Sequence, residues 1–387
     1  MLVIIRSKKP APLQKIRGNV IGKSIILCTR RPANPKTMRS KPNRFVTIKD
    51  IAKELNISVS TVSRALRDAY DVSPETKEKV LRVARELNYK PNLNAIGLVN
   101  NHTHNIGVIL PYVTNYYFST LITGIQKIAW SNNYNVLLYV TNDSAERELA
   151  ILQNLSYSSL DGLIVCLSSP ANSSDYFRQI INSGTPIVFI DRIADDVPAS
   201  RVVQDDYNGA FAAVEHLIAS GYSNIAHISG PKGFPVTDKR ELGYRDALAK
   251  HGLEVEEDWI IHGGFSQQDG ERATDHIMSL SKTPDAIFAV NDSLALGAMV
   301  ALKRRQIRIG DDVGIIGFTN DPAGTLVSPS LSTMAEAEPF DAGTQSCELL
   351  MRHIRKRGFP PRELVLPCEL IVRESTLRSQ RILTATR

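Results

Sequence analysis

An alternation of strand-like and helix-like segments occupies most of the chain from about residue 104 onward. Short runs rich in β-branched residues alternate with amphipathic segments such as 119–131, 210–220 and 293–305. The strand-like runs are 106–110, 135–140, 162–167, 187–190, 225–229, 286–290 and 313–317. This pattern is typical of doubly wound parallel sheets with helices on both faces. Since about 270 residues exceed one comfortable hydrophobic core, we predict two α/β subdomains.

The two predicted subdomains share a core of residues 104–372, which follows a polar break at 100–104. We assign about 104–203 and 335–358 to an N-terminal subdomain. We assign about 204–334 and 359–372 to a C-terminal subdomain, and 373–387 to a tail. Ligands of doubly wound sheets bind beyond the carboxyl ends of the strands. A cleft between the subdomains is therefore the expected ligand site.

The positive charge of the chain is concentrated at its N-terminal end. Residues 1–44 hold 12 basic and no acidic side chains, and residues 45–100 hold 9 basic and 7 acidic ones. Residues 101–387 hold 25 basic and 33 acidic side chains, which give a net charge of −8, although the whole chain has a net charge of +6. A polyanion such as nucleic acid is attracted to the N-terminal side and repelled by the rest.

The first 44 residues show no sustained helical or strand periodicity, and four prolines between residues 10 and 35 interrupt them. We predict a basic disordered extension, with Met38 as an alternative start of the protein. Gly18–Ser24 resembles a phosphate-binding loop, but three residues separate its glycines where the phosphate cradle needs four. Neither a nucleotide nor another cofactor is predicted.

The cysteines and histidines form no recognisable metal, disulfide or catalytic pattern. The four cysteines include no C-x-x-C pair, which disfavours a zinc site and a disulfide framework and fits a reducing cytoplasm. The eight histidines show no H-E-x-x-H spacing, and no G-x-S-x-G motif is present. No apolar run approaches the ~18 residues of a membrane helix. We predict a cytoplasmic protein that binds no metal, contacts no membrane and is not an enzyme.

Residues 45–90 carry the signals of three short helices. Thr47 is placed to cap the first helix, and Ser58 to cap a second helix over 59–67. Ser73 precedes Pro74, a combination that begins a third helix. A turn of about three residues between the first two helices is the spacing of a helix-turn-helix. The alternative is a three-helix interaction module with a solvated polar face.

The second of these helices would bury Val62, Ala65 and Leu66. Its outward residues are then mostly small and polar, with one arginine: Val59, Ser60, Thr61, Ser63 and Arg64. Such side chains approach base edges and phosphates without steric bulk. Periodicity alone therefore permits DNA binding by this helix.

Four segments in this region carry a more specific signal. In order and without gaps they are VTIKDIA at 46–52, VSTVSRAL at 59–66, VSPETKEKV at 72–80 and LNYKPN at 87–92. They resemble the headpiece of the lac repressor and galactose repressor (LacI/GalR) family of bacterial transcription regulators. The resemblance implies a DNA-binding headpiece at 45–90, followed by a hinge helix and linker at 91–103.

Roles of individual headpiece residues follow from this resemblance. Val59, Ser60 and Arg64 match positions that read the major groove. Positions that contact the DNA backbone or form the hinge are matched by Thr47, Thr61, Ser63, Asn92 and Ala95. Leu98 matches the hinge leucine that wedges into the minor groove and kinks the operator, as other apolar wedges do. Gly97 lowers the helical propensity of this hinge, so the hinge helix is expected to form on DNA.

The resemblance continues through the core to about residue 372. The matching segments are 202–209, 216–222, 228–231, 240–244, 291–297 and 328–333. It implies a fold similar to periplasmic binding proteins and an effector site built from Tyr117, Phe118, Asp191, Arg240, Phe265, Asn291 and Asp292. Acidic, amide and guanidinium groups beside aromatic faces suit a neutral polyhydroxylated ligand, and Arg240 is the strongest candidate. Asp191 and Asn291 could instead cap a turn and a helix.

Two departures from the family pattern concern the effector site. Thr319 stands where many members have an aspartate directly after the aromatic residue, here Phe318. The segment 335–343 carries one extra residue, which leaves open whether Glu336 or Glu338 faces the cleft. Both departures bear on the identity of the effector.

The sequence therefore predicts a homodimeric transcriptional regulator, most simply a repressor associated with the bacterial nucleoid. It would bind a pseudo-palindromic operator in double-stranded DNA and respond allosterically to a small-molecule effector, expected to be a sugar or sugar derivative. Two alternatives stay open. One is a sugar-binding transport receptor, which has no use for residues 46–90. The other is an enzyme, for which the residues show no catalytic constellation.

Overall fold

The computed structural model describes residues 46–90, 102–156, 159–169 and 174–378 of the chain. The chain divides into two compact units between Lys90 and Pro91, called here the headpiece and the core, and each is described by itself. The predicted extension 1–44 and most of the predicted linker 91–103 lie outside the described residues. An all-α headpiece and an α/β core confirm the predicted fold class.

The headpiece consists of α1 (Ile48–Leu55), α2 (Val59–Leu66) and α3 (Pro74–Glu86). Thr47 precedes α1, and its backbone N–H and hydroxyl donate to the Asp50 carboxylate at 2.8 and 2.7 Å. The hydroxyls of Ser58 and Ser73 accept backbone N–H groups at the starts of α2 and α3. These side chains satisfy helix N–H groups that have no partner within the helix. The three predicted helix starts are confirmed.

A small apolar core holds the three helices together. It contains Ile51, Ala52, Val62, Ala65, Val72, Val80, Val83 and Ala84. Ile51, Val62 and Val80, one from each helix, are fully buried. Because the apolar residues of α2 recur with helical spacing, burying them leaves the other side of the helix in solvent.

The core contains two six-stranded sheets. The first has strand order β11-β5-β4-β3-β1-β2 with all strands parallel. Its strands are β1 (Asn105–Leu110), β2 (Asn135–Val140), β3 (Gly162–Val165), β4 (Ile187–Ile190), β5 (Ser200–Gln204) and β11 (Glu363–Leu366). Its flanking helices are α4 (Tyr116–Ser131), α5 (Ala145–Asn154), α6 (Ser174–Asn182) and α12 (Pro339–Arg355). The β-branched and aliphatic content of β1, β3 and β4 explains their nearly complete burial between helices.

The second sheet has strand order β12-β10-β9-β8-β6-β7, and only the edge pair β10 and β12 is antiparallel. Its strands are β6 (Ile225–Ser229), β7 (Ile260–His262), β8 (Ala286–Ala289), β9 (Gly314–Phe318), β10 (Ser332–Ala335) and β12 (Glu369–Ile371). The helices beside it are α7 (Asp206–Ala219), α8 (Pro235–Lys250), α9 (Gln267–Ile277), α10 (Asp292–Arg304) and the short α11 (Ala323–Leu326). Short 3₁₀ turns at Glu257–Trp259 and Glu374–Thr376 complete the core.

Three chain crossings connect the two sheets. They follow β5, β10 and β11, so residues 205–206, 336–338 and 367–368 lie between the subdomains. The sequence assigned 359–372 to the C-terminal subdomain, but β11 pairs with β5 of the first sheet. Only β12 joins the second sheet. Edge strands of three or four residues carry too little periodicity to reveal this division.

The core also extends beyond residue 372, where the sequence placed the start of a tail. Ser375 and Thr376 are fully buried. The Ser375 hydroxyl donates to the carbonyl oxygen of Ile315 in β9 at 2.6 Å, and the Thr376 hydroxyl bonds to that of Ser332 at 2.7 Å. These contacts attach the segment to the second sheet. In the described part of the chain, no helix combines the length and apolar character needed to cross a membrane.

Glycines allow α9 and α10 to pack with their backbones in contact. A Cβ at Gly297 would overlap the carbonyl oxygen of Gln267, and one at Gly270 would overlap that of Leu294. We expect Gly297→Ala to lower the free energy of unfolding by about 1–3 kcal/mol, because the helices must separate. Chemical denaturation measures this loss. Val300→Ala, a change at a partly exposed site on the same helix, is the control, and an unchanged midpoint for Gly297→Ala would contradict this packing argument.

Candidate functional site

The exposed side of α2 is the first candidate site. Val59, Ser60 and Arg64 are exposed, and Thr61 and Ser63 are half-buried. This is the set of α2 residues that the sequence predicted to face outward. Thr47 is half-buried at the start of α1, where its side chain is bonded to Asp50.

The charged group of this surface is only loosely held. A guanidinium nitrogen of Arg64 lies 2.8 Å from the Asp71 carboxylate, and both side chains are more than one-third exposed. An exposed pair of this kind contributes at most about 1 kcal/mol. Arg64 can therefore exchange Asp71 for a phosphate or a base edge at little cost. The predicted DNA contacts Asn92, Ala95 and Leu98 lie outside the described residues.

The second candidate site is a cavity of about 550 Å³ between the two sheets of the core. Residues that follow strand ends of the first sheet line one side: Asn142, Asp143, Asp191 and Arg192. Residues that follow strands of the second sheet line the other: Phe265, Asn291, Thr319 and Glu336. The cavity thus lies where parallel α/β sheets bind ligands. The sequence predicted this location.

Six of the seven predicted effector residues line this cavity: Tyr117, Phe118, Asp191, Arg240, Phe265 and Asn291. Asp292 does not line it. Its fully buried carboxylate accepts the Thr333 hydroxyl at 2.8 Å and the Asp321 N–H at 2.7 Å, and burial raises its pKa to about 7. Asp292 therefore fixes the loop after β9 and does not line the predicted ligand site. The sequence pattern alone does not distinguish these two roles.

Arg240, on α8, is held on several sides by protein groups. Its Nε donates to Asp206 at 2.9 Å, one terminal nitrogen donates to Glu336 at 2.7 Å, and the other to the carbonyl oxygen of Val290. The guanidinium also stacks on the Phe318 ring, 3.6 Å from its centroid. Asp206 and Glu336 lie on two of the three crossings between the sheets. Arg240 therefore joins two of the three segments that connect the sheets.

Glu336, and not Glu338, lines the cavity. Glu338 is exposed and directly precedes α12. The second carboxylate oxygen of Glu336 is buried without a hydrogen-bond partner among the described residues, and so is the Tyr117 hydroxyl. Burial raises the pKa of Glu336 to about 8 and that of Asp206 to about 6. Buried polar atoms without partners are costly, so a ligand that bonds to both gains affinity.

On the opposite side of the cavity, Arg192 is paired with Asp143. The two side chains approach to 2.5 Å, and the guanidinium lies 4.3 Å from the centroid of the Phe265 ring. Asp191 accepts the thiol of Cys166 at 3.5 Å. Asn142 and Asp143 were not predicted, although they lie just past the end of β2. The strand-end rule that selected Asp191 would have found them.

The backbone is strained at the edge of the cavity. Thr319 has a φ of 112° and the adjacent Asn320 a φ of 57°. A positive φ is rare for a β-branched residue and is typical of binding sites. The Thr319 N–H donates to Met334 at 2.8 Å and the Asn320 side chain accepts from Arg373 at 2.7 Å, so surrounding contacts hold this conformation. Thr319 is also the departure noted in the sequence.

Comparison with known proteins identifies both units. Residues 47–92 match the family described as bacterial regulatory proteins, lacI family. Residues 103–374 match the periplasmic binding proteins and sugar binding domain of the LacI family. The second match covers more than half of the chain.

Named relatives align over both units. Catabolite control protein A of Priestia megaterium is 32% identical over 332 residues, which cover 86% of this chain and 99% of that protein. The ribose operon repressor of Halalkalibacterium halodurans is 33% identical, and the alignment covers 86% of this chain and 97% of that repressor. The transcriptional repressor PurR of Vibrio campbellii is 30% identical, with 86% and 98% covered.

Solved structures agree with these matches. The lac repressor dimer bound to operator and the anti-inducer ONPF superposes with a TM-score of 0.73 at 26% identity, covering 86% of this chain and all of that one. The regulator CelR in complex with cellobiose gives 0.65 at 26% identity, covering 85% and 99%. The match over the headpiece favours a regulator over a transport receptor. The chain therefore belongs to the LacI family of bacterial transcriptional regulators, with a DNA-binding headpiece and a sugar-binding type of core.

Proposed function

We propose that this chain is a repressor that binds a pseudo-palindromic operator as a homodimer and changes its operator affinity when a carbohydrate binds in the core cavity. One observation carries the proposal: a single chain combines a helix-turn-helix whose second helix has an exposed polar side with a cavity between two sheets joined by chain crossings. A transport receptor needs only the cavity. The relatives named above are regulators and not enzymes. Action on DNA places the protein in the cytoplasm, at the nucleoid.

On the DNA side, α2 is the element that enters the major groove in this proposal. The family resemblance assigns Val59, Ser60 and Arg64 to base edges, and all three side chains are exposed. Contacts to the backbone and hinge are assigned to Thr47, Thr61, Ser63, Asn92, Ala95 and Leu98. A two-fold dimer presents two such helices, so its operator has two related half-sites about one helical turn apart.

On the effector side, a sugar lies between the two sheets. Phe118 and Phe265 cover its C–H faces, and Tyr117, Asp191, Asn291 and Glu336 bond to its hydroxyls. Arg240 holds Asp206 and Glu336 in place. The names of two relatives support a carbohydrate, since one is a ribose operon repressor and the other was solved with cellobiose.

The coupling between the two sites is a population shift. A ligand in the cavity touches both sheets and the crossing that carries Glu336. It therefore binds the two possible arrangements of the subdomains with different affinity, which is the requirement for a ligand to shift their populations. The arrangement that the ligand favours sets the spacing of the two headpieces in a dimer and with it the affinity for the operator.

Selection of random duplex DNA by the purified full-length chain tests this proposal. The selection is run at one stated salt concentration, because phosphate contacts make binding salt-dependent, and is repeated with a panel of sugars. We expect enrichment of a two-fold symmetric motif and a change of its affinity with one sugar. Enrichment of a single unrepeated half-site would refute the dimer, and no enrichment at all would refute the regulator.

A further inference from the structure

The cavity contains two cations, and both are already neutralised by the protein. Among the described residues that line it, Arg192 and Arg240 are the basic side chains, with no lysine or histidine beside them. Arg192 is paired with Asp143 at 2.5 Å, and Arg240 with Asp206 at 2.7 Å. Both arginines are about 95% or more buried. A phosphate or carboxylate on a ligand would have to displace one of these aspartates to find a counter-charge.

At three helix starts beside the cavity, a protein side chain already accepts one of the free N–H groups. Free N–H groups at a helix start commonly bind phosphate. Here Asn115 accepts the Phe118 N–H at 3.0 Å at the start of α4, and Asn291 accepts the Leu294 N–H at 2.8 Å at the start of α10. Ser266 accepts the Asp269 N–H at the start of α9. All three capping residues line the cavity, so part of the N–H capacity of these helix starts is already used by the protein.

The remaining ionisable groups of the lining are acidic. Besides Asp143, the cavity is lined by Asp191, Asp269, Asp321 and Glu336. Asp269 is offset by Arg272, which lies outside the lining. Like charges repel strongly where water is excluded. An anionic ligand would therefore meet repulsion in addition to the lack of a free cation.

From these contacts we propose that the cavity accepts an uncharged, polyhydroxylated ligand and rejects its phosphorylated and carboxylated analogues, with Asp143 as a specificity-determining residue that neutralises Arg192. The unpartnered oxygens of Tyr117 and Glu336 take hydroxyl groups of this ligand. The inference rests on the proposed effector site and adds the charge class of the effector.

Matched ligands test the proposal by isothermal titration calorimetry with the full-length chain at constant ionic strength. The neutral probes are D-ribose, D-glucose and cellobiose, and the anionic probes are ribose 5-phosphate, glucose 6-phosphate and glucuronate. We expect at least one neutral sugar to bind at least 100-fold more tightly than its anionic analogue. Equal or tighter binding of the analogue overturns the proposal, and so does an absence of binding by every neutral sugar.

The variant Asp143→Asn tests the role of the counter-charge. Asparagine keeps the shape and the hydrogen-bond acceptor, and it tolerates the positive φ of 57° at this position, but it leaves Arg192 with an unbalanced charge. We expect affinity for the anionic analogue to rise at least tenfold, with a smaller change for the neutral sugar. Asp195→Asn, at an exposed partner of Arg201, is the matched control.

An unchanged affinity of Asp143→Asn for the anionic analogue overturns the assignment of Asp143. Operator binding without ligand is measured by gel shift on the same preparations. It distinguishes a failure of the proposed charge class from a failure of the proposed function. A wild-type chain that binds its operator yet prefers an anion refutes the charge class and leaves the regulator intact. A chain that binds no operator refutes the proposed function itself.

Discussion

Replacing Arg240 with alanine is expected to abolish the response of operator binding to effector and to lower the stability of the core by about 3–5 kcal/mol. The guanidinium is 2% exposed and is the common partner of Asp206 and Glu336. Its removal leaves Asp206 buried without its counter-charge, and it detaches two of the three crossings between the sheets. Denaturation monitored by tryptophan fluorescence measures the loss of stability, and effector titration of the operator complex measures the response.

Arg245→Ala is the control for this result. Arg245 lies on the same helix and pairs with Glu241 and Glu257, but about one-third of its side chain is exposed. A solvent-screened pair contributes about 1 kcal/mol or less, so this variant should keep both stability and effector response. If Arg240→Ala responds to effector as the wild type does, Arg240 has no part in the site. If the two variants lose equal stability, the buried network contributes nothing beyond an ordinary surface pair.

Replacing Arg64 with alanine is expected to weaken binding to the selected operator about 10- to 100-fold, because a good bidentate contact to a base contributes about 1–3 kcal/mol of discrimination. Binding to unrelated DNA should weaken much less. The fold of the headpiece should be unaffected, since Arg64 is exposed and its ion-pair partner among the described residues is the exposed Asp71. Competition gel shifts with operator and scrambled duplexes at one salt concentration measure both affinities.

Arg82→Ala on α3 is the matched control, since it removes the same charge from an exposed position. It is expected to weaken both DNAs slightly and equally, as loss of a non-specific charge does. An equal loss on both DNAs for Arg64→Ala would show that Arg64 contacts only phosphate. In that case Val59 and Ser60 would have to supply the base contacts on α2.

The headpiece could be predicted in detail because its structure depends on neighbours in the sequence. Thr47, Ser58 and Ser73 cap helices that begin one residue later, and the buried side of α2 follows from helical spacing. The central strands were also predictable, since β1, β3 and β4 are apolar along their whole length. The strands β5, β7, β10, β11 and β12 were missed. They are short, and most lie at or near sheet edges, where their pairing partners stabilise them more than their own composition does.

The sequence by itself determined the fold class, the helix-turn-helix, the edge of the sheets where the cavity lies and six of the seven residues expected to line it. Only the tertiary structure decided that Glu336 faces the cavity in place of Glu338, that Asp292 supports a loop, and that both arginines of the cavity are already paired. The partners in these pairs are 49 and 34 residues apart along the chain. Charge neutralisation depends on distance in space. That distance is set by the strand order of the first sheet, which brings the ends of β2 and β4 to one edge, and by the packing of α7 against α8.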